Sequence, residues 1–414
     1  MKKNLILLIT LIMMAAFFTS CQRKDGSSGQ RSSGAKITLY YWDENQKPGM
    51  DAVVQAYTKS TGIRVETTII PWAQYWTRLQ TALPSDTGPD VFWVNSAHAI
   101  DYYPAGLVQE ISGYIERDNV DMSKFPSALV QMYSYDGKNY GIPKDYDTIA
   151  LFYNKAIFDA KGVPYPTDNW TWADLRSAAT RLTDRNISGF IVSGTDTQGT
   201  IFPWILSNNG TVLSPDRSVF HLNTPEGVEA VREALRYSKD GISPTGADLM
   251  ELDPLVRFQA GLAAMWTAGS WNVSSLYEAL GSKLGVAAFP YARKPANVIH
   301  GLSFNISARS KHKEEAWGLL KAFATKEAGE VQAKLVIPAY EGAAEVWKNN
   351  FPGLNLQVFI DAAAIAAPLP IGTRSAAAQN DILLTQLSNI FVGGADAAVA
   401  LANIDRECEA IAGR

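Results

Sequence analysis

The sequence predicts an α/β protein built as two lobes, and three observations lead there. At 414 residues the chain exceeds what one ordinary hydrophobic core organises. From residue 36 onward, short β-rich runs alternate with helical patterns at the spacing of βαβ units, which predicts a mainly parallel sheet. The same kind of alternation resumes near residue 149, without a sequence repeat. Hydrophobic residues make up 47% of the chain and charged residues 19%, the balance of a soluble globular protein. The formal net charge of -4 is not that of a general nucleic-acid binder, which needs a basic footprint.

The N-terminus carries a targeting pattern. Met1, Lys2 and Lys3 form a basic start, Leu5 to Phe18 is almost wholly apolar, and Thr19-Ser20-Cys21 follows. The apolar run is short for a membrane span, so residues 1–20 read as a signal peptide. Small residues just before a cysteine resemble the lipobox of bacterial lipoproteins. That resemblance implies that Cys21 is diacylated and becomes the mature N-terminus. The alternative is an ordinary signal peptide cut elsewhere, with Cys21 incidental. Residues 21–35 are rich in Ser, Gly, Arg and Lys and read as a flexible tether to the membrane. With Cys21 lipidated, Cys408 has no partner, so no disulfide framework is expected.

Ile37 to Trp42 is a dense β-branched and aromatic run, hence a buried strand. Val53 to Lys59 is helix-like and stops near Gly62. Ile63, Val65, Thr67 and Ile69 alternate with Arg64, Glu66 and Thr68, a second strand closed by Pro71. Asp90 to Val94 is a third, after the turn signal Gly88-Pro89. Ile149 to Tyr153 is a further strand. Thr171 is a helix N-cap with Asp174 as its capping-box partner, and Leu175, Ala178, Ala179 and Leu182 share one face of that helix. Thr224-Pro225 starts another helix. Ala316, Leu319, Leu320 and Phe323 recur at helical spacing. The tail from Ala362 is Ala-rich and mostly helical, broken by Pro368, Pro370, Gly393 and Gly394.

Several of these segments, taken in order, resemble the extracellular solute-binding proteins of carbohydrate ABC importers. Gly88-Pro89-Asp90-Val91-Phe92-Trp93 resembles the family's "gPDvf" element, and Ala105-Gly106-Leu107-Val108 its "aGlLvpLd" segment. Tyr140-Gly141-Ile142-Pro143, Asp147-Thr148, Leu151-Phe152-Tyr153-Asn154-Lys155, Phe158 and Gly162-Val163 resemble "yGiPxxxdtxxlyYNkxlFxxaGv". Trp170-Thr171-Trp172, Met265-Trp266-Thr267-Ala268-Gly269-Ser270-Trp271, Phe289-Pro290, Gly301 and the run Ser310 to Trp317 complete the order. The resemblance covers roughly residues 36 to 340. It implies the type II periplasmic-binding-protein fold: two α/β lobes, a hinge and an interlobe ligand cleft, with chain crossings near Asp145–Ile149, His300–Phe304 and Ile337–Glu341. Lobe 1 would comprise residues 36–146 plus 302–338, and lobe 2 residues 147–301 plus 339–414. The implied function is capture of a mono- or oligosaccharide outside the cytoplasm and its delivery to the importer's permease. The implied protein is a monomer, held at the membrane through its lipid anchor only, with no cofactor, metal or nucleic-acid partner.

A sugar presents weakly apolar C–H faces and hydroxyls that need fixed donors and acceptors. Its site therefore combines Trp or Tyr platforms with Asp, Asn, Gln or Arg. The chain has 11 Trp and 17 Tyr, several beside polar residues at strand ends, where open α/β sheets place ligands. Trp42, Asp43 and Asn45 end the first strand; the plainer reading is a core Trp42 and an Asp43 that caps the next helix. Trp72 and Tyr75 follow the second strand, at a spacing a buried helix face would also show. Asn95 ends the third, where it would equally serve a turn. Asp145, Tyr146 and Asp147 lie on the first crossing, with Asp145 the ligand candidate and Asp147 a hinge residue. Trp271 sits in a Gly-Ser-Trp turn, where glycine would let a ligand approach the backbone. Trp204, Gly301, Tyr340 and Arg374 complete the candidates, though Arg374 would equally pair with a protein carboxylate.

Two other classes fit less well. A secreted carbohydrate-active enzyme would use two carboxylates, but no G-x-S-x-G or H-E-x-x-H motif is present and Cys408 reads as packed rather than reactive. The same fold with a non-sugar solute would want basic residues at helix starts for an anion or clustered His and carboxylates for a metal.

Overall fold

The computed structural model describes residues 34–413. The residues read as a signal peptide, Cys21 and most of those read as a tether lie outside them. Strand β1 (Lys36–Tyr41) runs parallel to both β2 (Arg64–Ile69) and β3 (Val91–Asn95) and lies between them. The helices Lys47–Thr61 and Trp72–Ala82 make the crossovers. The first ends on Gly62 at φ +78°, a left-handed conformation that glycine adopts without a Cβ penalty. Asp90, ahead of β3, closes the unit by accepting from the backbone N–H and hydroxyl of Thr38 and from Ser310.

A small hairpin, β4 (Ser134–Tyr135) and β5 (Lys138–Asn139), leads to β6 (Gly141–Asp147). One residue later β7 (Ile149–Asn154) begins, and it belongs to a different sheet. There it lies between β8 (Met265–Gly269) and β9 (Leu284–Ala288), antiparallel to both. Strand β10 (Asn297–Ile306) then returns to the first sheet and inserts between β3 and β6, antiparallel to each. The short strands β11 (Ile337–Pro338) and β12 (Ala366–Pro368) pair with β6 and with the start of β10.

The sheets are therefore mixed rather than mainly parallel. Among the described residues, the strands that pair in parallel are β1 with β2, β1 with β3, and β10 with β12, beside isolated parallel bridges such as Ile191 with Trp266 on β8. The βαβ spacing read in the first hundred residues was a local signal. In the first sheet the antiparallel pairs are made by β10 and β11, which return to it after the second sheet, a return that local spacing does not encode. The strands of the second sheet are antiparallel throughout.

Between the sheets, Thr148 is fully buried and its hydroxyl donates to the carbonyl of Phe359 at 2.7 Å. Asn297 clamps the start of β7, accepting from the Ile149 N–H at 2.9 Å and donating to the Ile149 carbonyl at 2.7 Å. Strand β7 is buried on both faces: Ile149, Leu151 and Tyr153 pack into one core cluster, Ala150 and Phe152 into another, as the twofold alternation of a strand requires. The helices Trp172–Leu182 and Pro225–Lys239 begin on Thr171 and Thr224 as expected, the first with a complete capping box. The tail folds into helices Gln357–Ile365, Ala376–Phe391 and Ala397–Ile411. Cys408 is wholly buried there, and burial pushes its thiol up to about 12, so it stays protonated and packed.

Candidate ligand-binding cleft

A cleft of about 820 Å³ lies between the two sheets, lined from one side by Trp42, Asp43, Asn45 and Trp72 and from the other by Trp271 and its neighbours. Trp42, Asp43 and Asn45 follow β1, and Trp72 opens the helix after β2. Both are carboxyl ends of parallel strands, the edge where such sheets bind ligands. Trp42 meets Trp72, Tyr75 and Trp93 edge-on at 4.9–5.1 Å between ring centroids. These contacts hold Trp42 upright while half of Trp72 remains exposed. Asp43 has both roles considered for it: it lines the cleft, and it caps the short 3-10 turn Glu44–Gln46 through the Asn45 N–H.

Trp271 follows β8 and is 43% exposed. Its ring lies flat on Gly269: a Cβ there would sit 1.8 Å from Trp271 Cζ3. The glycine makes room for this aromatic platform rather than for a ligand. Ser270, between them, donates to Asp147 Oδ1 at 2.7 Å, tying the turn to the crossing strand.

The floor is formed by β6 and β10. Asp145 is 2% exposed, and its Oδ2 is paired with Lys144 while its Oδ1 has no protein partner. Burial pushes the Asp145 carboxyl up; the Lys144 ammonium opposes that shift and Asp147 adds to it. Adjacent strand residues ordinarily point to opposite faces. The bulge opposite Leu302/Ser303, where β6 carries the extra residue Lys144, is the kind of irregularity that re-aims side chains beside binding sites. On the opposite side Gln198, in the π-helical turn Thr197–Ile201, lines the cleft with an Nε2 that also has no partner.

Of the other sequence candidates, the structure places seven away from the cleft. Tyr75 is fully buried, its hydroxyl bonded to the backbone of Tyr40 and Trp93. Asn95 is spent on capping the helix Ser96–Tyr102 through the His98 N–H. Tyr146 packs in the core between Gly301 and Ile337. Trp204 is 1% exposed and packs on Trp172. Gly301 is needed because a Cβ would lie 2.6 Å from the Asp145 carbonyl, a contact between strands. Tyr340 packs edge-on against Phe125, and Arg374 bonds the Ala412 carbonyl. Strand-end position and residue type do not distinguish a side chain turned to the cleft from one turned to the core.

Missed lining residues include Gln46, Gln198, Asn272, Glu278 and His300. Gln46 shares the turn of Asp43 and Asn45, and Asn272 adjoins Trp271, so both were within reach of the same argument. Gln198 carried no sequence signal. A second groove of about 810 Å³ lies on the outer face between the helices Trp172–Leu182 and Pro225–Lys239. Its charges are used internally: Arg176 pairs with Glu233 and Asp240, Arg236 with Glu233, and Arg232 with Asp396.

A family model described as bacterial extracellular solute-binding protein matches residues 52–352. The galactooligosaccharide-binding protein of Bacillus subtilis is 27% identical over 311 residues, 72% of this chain and 70% of that protein. The multiple sugar-binding protein of Streptococcus mutans is 24% identical over 358 residues, 77% of each. An ABC substrate-binding protein from Listeria monocytogenes, solved with cycloalternan, superposes with a TM-score of 0.83 at 25% identity, over 92% of this chain and 99% of that one.

Proposed function

The chain belongs to the bacterial extracellular solute-binding proteins, and from that premise we propose that it binds a mono- or oligosaccharide in the cleft and delivers it to the permease of an ABC importer. Its fold is the two-lobed periplasmic-binding type, and its place is extracytoplasmic. The observation that carries the sugar reading is the pairing of functions in one cleft. Trp42, Trp72 and Trp271 offer aromatic faces, while Asp145 Oδ1 offers an unpaired acceptor and Gln198 Nε2 an unpaired donor. A hydroxyl donates and accepts at once, so a sugar satisfies both buried atoms, which are otherwise costly. The oligosaccharide cargoes of the relatives support the same class.

The lobes we assign are residues 36–146 with 302–338, and 147–301 with 339–414. They are supported by the sheet change at Thr148 and the return of β10. Capture is closure of the two lobes on the ligand about this hinge, a shift in an open–closed equilibrium that lets the permease distinguish loaded from empty protein. No cofactor and no covalent step enters. Lipidation at Cys21 would hold a monomer at the membrane.

The test is the melting temperature of residues 36–414 against mono- and oligosaccharides, with amino acids and polyamines as controls. A ligand that binds only the folded state adds roughly 2.7 kcal/mol at a hundredfold excess over its Kd. Stabilisation by one sugar series is expected. Stabilisation by a control solute alone would replace the cargo and keep the fold.

A further inference from the structure

We propose that the cleft selects its saccharide by charge, taking uncharged or amine-bearing sugars and rejecting those that carry a carboxylate or phosphate. The proposal rests on the saccharide reading above and narrows it. Asp43, Asp145, Asp147 and Glu278 line the cleft, and no Lys or Arg among the described residues lines it with them.

Lys144, the chain neighbour of Asp145, is withdrawn from the ligand. Its side chain is 0% exposed. Its ammonium donates to Asp145 Oδ2 and to Gln46 Oε1 and lies 4.5 Å from the centre of the Trp93 ring. Gln46 in turn donates to Asp43 Oδ2 at 2.8 Å. One buried charge therefore braces two of the cleft's carboxylates from behind. His300 faces a carboxylate already, with Nδ1 3.8 Å from Asp147 Oδ2. Asp145 Oδ1 is left buried and open to a donor.

An uncharged sugar meets this wall as a set of hydroxyl donors. A uronate meets these carboxylates and no lining Lys or Arg that could pair with it, and like charges brought together in a desolvated site repel strongly. An amine-bearing sugar gains an attraction that salt screens.

The experiment uses matched oligosaccharides: each neutral member of the panel, its C6-oxidised uronate and its 2-amino congener, titrated calorimetrically into residues 36–414 at low and high salt. The neutral sugar that binds is expected to lose about tenfold or more in affinity on C6 oxidation. Its 2-amino congener is expected to bind at least as well as the neutral sugar, with the difference shrinking as salt rises. Glu278→Lys, which places one cation at the rim, should recover part of the lost uronate affinity. A uronate or sugar phosphate that binds as tightly as its neutral congener overturns the proposal, as does any other anionic solute that proves to be the cargo. A neutral or cationic solute that is not a saccharide would instead overturn the sugar reading and leave the charge rule standing.

Discussion

At the scale of single residues, the cleft shows why an aromatic residue in a glycine-containing turn is informative and how its meaning can be misjudged. Gly269-Ser270-Trp271 marked a site, and Trp271 does line the cleft. The glycine, however, serves Trp271 itself. Gly269 has φ -83°, so its backbone needs no glycine; only the 1.8 Å approach of the indole does. Gly269→Ala must therefore displace the ring. Trp271 is nearly half exposed and can swing outward, so the fold should survive. We expect a fall in sugar affinity of roughly tenfold, about 1.4 kcal/mol, with the melting temperature of the empty protein nearly unchanged. Calorimetry beside thermal melts checks this; an unchanged Kd would show that the platform's position is immaterial.

At the scale of elements, the helices Trp72–Ala82 and Ser96–Tyr102 pack through Trp76 and His98, whose ring centroids are 3.6 Å apart. Burial lowers the His98 pKa from its ordinary value to about 4, and Nδ1 has no partner. The folded state thus holds the neutral ring, whereas the unfolded chain takes up a proton below about pH 6.5. The stability from this pair is complete above pH 6.5 and falls away as the pH drops toward 4, by on the order of 3 kcal/mol. His98→Phe keeps a ring against Trp76 without the proton site. Urea midpoints at pH 7 and 4.5 should differ less in the variant than in the parent protein; equal differences would remove His98 from the account. The helix starts, by contrast, were legible from sequence alone. Thr171 and Asp174 bond each other's backbone N–H, and Thr224 accepts from the Gly227 N–H while Pro225 has no N–H to satisfy, so their chemistry is local.

At the scale of the whole molecule, the crossing from β6 to β7 takes one residue, Thr148, and is braced by Asn297 and by the Phe359 carbonyl. Cleft walls that come from different sheets can approach each other only by motion about such crossings. Small-angle scattering should therefore report a smaller radius of gyration on saturation with the bound sugar. An unchanged radius alongside tight binding would mean that capture proceeds without closure.

The α/β class, most strands and caps and the order of family segments were legible in the sequence, as were thirteen site candidates, of which Trp42, Asp43, Asn45, Trp72, Asp145 and Trp271 line the cleft. These follow from periodicity, capping and residue type, which are properties of short stretches of chain. That Tyr75 and Trp204 serve the interior emerged from the folded chain. It likewise decided that Lys144 stands behind Asp145 and that Gln198 and His300 reach the cleft. The placements of Tyr75 and His300 depend on which face a helix or strand turns toward its neighbours, Tyr40 and Trp93 for the first and Asp147 for the second. That choice is made by packing and strand register across the two sheets, and no local pattern records it.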